Sequence, residues 1–63
     1  MDWETIQVAD IIREKFTMNY YLVLHLNKSA RTGNTTFVLV RDINTGVLLN
    51  IWWNQMPNFK LEA

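Results

Sequence analysis

Apolar positions in this chain fall into short runs separated by polar turns, and the best-defined run lies between Thr36 and Trp53. Two β-branched and leucine-rich stretches flank Asn44-Thr45-Gly46, the pattern of a β-hairpin whose loop ends in a left-handed glycine. A three-residue loop with Gly46 in that role places Ile43 opposite Val47. Arg41 then faces Leu49, Leu39 faces Ile51 and Phe37 faces Trp53, with Val38 opposite Trp52 on the other side. Both faces of the hairpin are apolar in this register. The rest of the chain has to cover one of them.

Tyr20–Asn27 reads as the neighbouring strand, aromatic and leucine-rich and too short for a helix. Alternation sets Tyr20, Leu22, Leu24 and Leu26 on one side and Tyr21, Val23 and His25 on the other. Lys28–Asn34 is a polar, basic loop pivoting on Gly33, leading antiparallel into the strand Thr35–Asp42. A last strand, Val47–Trp53, stops before Pro57, which cannot donate to a ladder. The tail, residues 58–63, is able to add a short edge strand or to place Phe59 and Leu61 on the core.

The segment from Asp2 to Phe16 fits a helix. Asp2 suits the N-cap, and Glu4 lies in the first turn where the helix dipole favours an acid. Trp3, Ile6, Ala9, Ile12 and Phe16 recur at helical spacing, with Val8 and Ile11 widening the stripe. A strand at Thr5–Ala9 followed by a helical turn through Asp10–Glu14 is the alternative.

The expected architecture is therefore α+β, an N-terminal helix packed on a three-stranded antiparallel meander. Its core face comprises Leu22, Leu24, Leu26, Phe37, Leu39, Leu49, Ile51 and Trp53. An all-β small barrel with residues 5–9 as an extra strand is the other architecture the pattern permits. Residues 1–63 make one domain, near the lower size limit for a self-sufficient core. The chain has no internal repeat or linker.

Composition narrows the function classes. The chain has no cysteine, so no disulfide or thiolate metal site can staple it. Three Trp, three Phe and two Tyr argue for an ordered domain with apolar surface to spare. No run is long enough to span a membrane, and the acidic N-terminus is unlike a secretory signal, so a cytoplasmic setting is expected. The formal net charge is zero, but residues 1–14 are acidic while residues 15–60 are mildly basic.

Chemistry is sparse. His25 is the single histidine, no carboxylate pair shares a strand face, and the two glycines sit in turns without a phosphate-cradling pattern. An enzyme, a metal and a cofactor are all unexpected. Binding is better supported. On the non-core face Tyr21 and Trp52 could stack on bases beside His25, while Lys28, Arg31 and Arg41 neutralise phosphates. The same face, through Tyr21, Val23, Val38, Val40 and Trp52, could instead form a partner interface, including a homodimer.

The run from Phe37 to Trp53 also resembles the strand 2–strand 3 hairpin of OB-fold single-stranded-DNA-binding domains. In that family a strand ends in Asp, the turn carries Thr-Gly, and the next strand ends in an apolar–Trp pair. Here Asp42, Thr45, Gly46, Ile51 and Trp52 or Trp53 hold those places. The resemblance implies an OB-like or truncated barrel in which Tyr20–Asn27 is strand 1 and the Lys28–Asn34 loop touches nucleic acid. Only ten residues follow Trp53, where the family continues with a helix and two strands, so a pared-down meander or one completed by a second chain is implied. The leading expectation is a small non-enzymatic protein that binds single-stranded DNA or RNA. The competing one is a protein-interaction or inhibitor module.

Overall fold

The computed structural model describes residues 5–62. The described residues form five strands: β1 (Ile11–Glu14), β2 (Tyr20–Lys28), β3 (Thr35–Asp42), β4 (Leu48–Trp52) and β5 (Phe59–Glu62). They form one antiparallel sheet in the order β4-β3-β2-β1-β5. A short 3-10 helix, Trp53–Asn58, carries the chain from β4 across the buried face to β5 on the far side of the sheet.

The architecture is all-β, and the expected N-terminal helix is absent from the described residues. Asp2, Trp3 and Glu4, which would begin that helix, lie outside them. Within them, Val8 and Ala9 form a turn in which Ala9 takes φ +77°, a conformation no right-handed helix contains. The Asp10 carboxylate accepts the Gln7 N–H at 2.8 Å, and the Asp10 N–H donates to the Gln7 carbonyl at 3.1 Å. The adjacent β-branched pair Ile11-Ile12 then enters the sheet. Ile12 is opposite Tyr21 on one side and Leu61 on the other, and is fully buried. The helical stripe fails physically as well, because Phe16 at its end is 80% exposed. An extra strand therefore exists, but at Ile11–Glu14 and not at residues 5–9.

The second correction concerns which face is buried. Ile12, Tyr21, Val23, Val38, Val40 and Ile51 form the core with Ile6, Met56 and Phe59, and Leu26, Leu49 and Leu61 pack at its margin. Of the expected core face, Leu22, Phe37 and Leu39 lie on the opposite, outer side and are half-buried, and Trp53 is exposed. The cause is one residue of loop. The β3–β4 connection has four residues, Ile43–Gly46, closed by Asp42 N–H to Val47 C=O at 2.8 Å. Phe37 therefore faces Trp52, and Val38 faces Ile51. A one-residue change of register sends the side chains of one strand to the other face, here those of β3, while Leu49 and Ile51 of β4 stay inside.

β2 adds a bend. Val23 pairs with Val40 but His25 pairs with Leu39, so Leu24 is the extra residue of a β-bulge. Before the bulge Tyr21 and Val23 point inward; beyond it Leu26 does, and His25 points outward. The Gln7–Asp10 turn docks at this bend: Ala9 N–H donates to Val23 C=O, and Val23 N–H donates to Asp10 C=O, both at 2.8 Å. β1 pairs along the first half of β2 and carries β5 on its other side, so the sheet curls around its own buried face. Tyr21 meets Phe59 edge-on at 5.9 Å across that curl. The curled sheet, with Ile6 and Met56 contributed from outside it, covers the core without the expected N-terminal helix.

Candidate functional site

The outer face is organised in rows across the strands. Asn27, Phe37 and Trp52 form the first, and His25, Leu39 and Asn50 the second. Ile11, Leu22, Arg41 and Leu48 form the third. Phe37 and Trp52 are directly opposite, in the pairing geometry that brings side chains closest. Their rings lie 4.9 Å apart at 50°. Trp52 is still 49% exposed. Its backbone is pinned as well, since its N–H donates to Gln55 Oε1 at 2.9 Å. Trp52 therefore presents an indole packed on Phe37, on a backbone pinned by Gln55.

Charge on this face is predominantly basic. Arg41 is exposed, and its guanidinium folds back over Gly46. Arg13 and Lys60 lie on the same side near the far edge, with Glu62 as the counter-charge. Arg13 Nε is 3.1 Å from Glu62 Oε1 without the alignment of a hydrogen bond, so that contact is Coulombic. The other described acids are engaged elsewhere. Asp10 closes its turn, Glu14 accepts the Thr17 hydroxyl at 2.7 Å, and Asp42 is buried.

The three hairpin loops share one construction. Glu14–Asn19, Ser29–Asn34 and Asp42–Val47 each close on a backbone N–H to C=O bond of 2.8–2.9 Å between the two end residues. In each, the fifth residue's N–H returns to the first residue's carbonyl, at 2.8–2.9 Å. That fifth residue is Met18, Gly33 or Gly46, and all three have positive φ. The fourth is Thr17, Thr32 or Thr45, whose hydroxyl accepts the N–H two residues on. Ser29 Oγ and Asp42 Oδ1 accept N–H groups inside their own loops. The middle loop thus holds Arg31 on a hydrogen-bonded turn, with Lys28 at the strand end beside it.

Of the residues singled out from the sequence, His25, Arg41 and Trp52 share the outer face, and Lys28 and Arg31 lie exposed at the hairpin next to the Trp52 row. Tyr21 does not join them. It is 7% exposed and sits on the inner face against Phe59. Val23, Val38 and Val40 are fully buried beside it, so they offer no surface to a partner. Phe37 and Leu39 take the outer-face places on β3 that Val38 and Val40 were expected to fill. The signal that would have found them is the spacing from Asp42 to Gly46, which fits a four-residue loop as well as a shorter one.

Among the described residues no group of three or more His, Asp or Glu side chains gathers at metal-binding distance. No described helix is long and apolar enough to cross a membrane. No protein-family model, curated protein or solved structure matches the chain.

Proposed function

We propose that the protein is a small non-enzymatic binder of single-stranded nucleic acid that works through the outer sheet face, with the cytoplasm as its setting. The observation that carries this reading is the half-exposed Trp52 indole braced on Phe37, on a face where basic groups outnumber acidic ones. Bases stack on such a platform whatever their sequence, at roughly 1–3 kcal/mol per base. His25 and Asn50 in the adjoining row offer hydrogen-bonding groups to base edges. Lys28 and Arg31 stand where the backbone of a strand leaving Trp52 would pass, and Arg41 lies at the other end of the same face. The OB-like pattern of the β3–β4 hairpin adds to this reading.

A fluorescent oligonucleotide titrated at several salt concentrations tests it. Affinity should fall as salt rises, with a log–log slope of roughly −0.7 per phosphate neutralised. The double variant Lys28→Ala/Arg31→Ala should flatten that slope. Absence of binding at low salt would overturn the proposal. The outer face also exposes Leu48 and half-buries Leu22 and Leu39, which favours a protein-interaction or inhibitor module as the second reading. Under that reading the oligonucleotide leaves Trp52 fluorescence unchanged.

A further inference from the structure

The two edges of the sheet are built differently, and the difference points to a second copy of this chain as the occupant of one of them. β5 carries Lys60 and Glu62, and charge is a usual protection of an exposed edge. β4 has no such protection. The stretch from Ile43 to Phe59 contains no Asp, Glu, Lys or Arg, and Leu48 and Trp52 on the strand are about half exposed.

Backbone alternation says which groups are open. Asp42 N–H bonds to Val47 C=O, so in an antiparallel ladder Leu49 and Ile51 also turn their N–H and C=O towards β3. Leu48, Asn50 and Trp52 turn theirs outward. The Trp52 N–H agrees with this, since it is taken by Gln55 and not by β3. The Gln55 side chain closes one end of the edge and leaves the N–H and C=O of Leu48 and Asn50.

The geometry points to antiparallel pairing of β4 with β4 of a second copy, two-fold symmetric about Leu49. In that register Leu48 exchanges both backbone bonds with Asn50 of the second copy, and Asn50 with its Leu48. No bond requires the N–H that Gln55 already holds. A two-fold axis sets each residue near its own copy, so charges there would repel; the charge-free stretch is what such an axis tolerates. The two outer faces become one continuous surface, with a Trp52–Phe37 pair on each side of the axis.

Sedimentation of the full chain over a concentration series reads this directly. The mass should rise to that of two chains. Leu48→Lys, a change at an exposed side chain, should raise the dissociation constant by about tenfold or more. Leu48→Pro removes an outward N–H while leaving the β3 ladder intact, and should abolish the dimer. Hydrogen exchange on the unmodified chain gives a variant-free check: Leu48 and Asn50 amides become protected as concentration rises. A single-chain mass throughout, or edge amides whose exchange ignores concentration, overturns the inference. It stands apart from single-strand binding, because a monomer that binds oligonucleotide refutes the dimer alone, and a dimer that ignores oligonucleotide refutes the binding alone.

Discussion

Met18 holds φ +64° at the loop position where Gly33 and Gly46 hold φ +75° and +76°. A side chain pays a steric penalty there that glycine avoids, on the order of 1 kcal/mol. The Met18 side chain is largely exposed, so little packing is at stake. Met18→Gly should therefore raise the midpoint of urea unfolding, the gain in unfolding free energy reaching about 1 kcal/mol. Gly33→Ala should lower stability by a similar amount, because nothing lies within 4 Å of the added Cβ and only the backbone term remains. Asp42 is a stronger case. It is buried, and its Oδ1 accepts the N–H groups of Asn44 and Thr45 at 2.8 and 3.2 Å. Asp42→Ala should cost about 1–2 kcal/mol in the same denaturation experiment, with Asp42→Asn, whose Oδ1 accepts the same N–H groups, recovering most of that loss.

Loop length is the deciding quantity at the level of elements. Four residues between Asp42 and Val47 put Val38, Val40 and Ile51 inside and Phe37, Leu39 and Trp52 outside. Deleting Asn44 would favour a three-residue loop and reverse that assignment for β4 relative to β3. Burial of a single aliphatic side chain is worth roughly 1.5–3 kcal/mol, so the deletion should remove cooperative thermal unfolding by circular dichroism. The positions of β2 and β3 and the hairpin itself were legible in alternation and turn residues. The register was not, because both faces of the hairpin are apolar and hydrophobicity alone cannot choose between them. Arg-Thr-Gly-Asn and Asn-Thr-Gly-Val were visible as turns, but Phe-Thr-Met-Asn hides the same loop behind a methionine. With that first hairpin hidden, Ile12 and Phe16 passed for a helical stripe. The bulge at Leu24 left no mark in composition, which is why simple alternation puts Tyr21 and His25 on one face where the structure separates them.

Taken whole, the molecule divides its aromatic and aliphatic side chains between a core that the sheet curls around and a platform that the sheet displays. The two functions sit on adjacent residues of β4. Ile51 is buried against Val38, and Trp52 stands half exposed on Phe37. Ile51→Ala should cost about 2–5 kcal/mol of stability and affect binding only through unfolding. Trp52→Ala should leave the fold intact and weaken oligonucleotide affinity by roughly tenfold, the equivalent of one lost stack. The most direct measurement is two-dimensional NMR of the labelled chain titrated with a short single-stranded oligonucleotide. The expected result is a set of shifts centred on the Trp52 indole N–H and spreading through Phe37, His25 and Asn50, with Lys28 and Arg31 following. Shifts confined to other surfaces, or none at low salt, would contradict the outer face as the binding site.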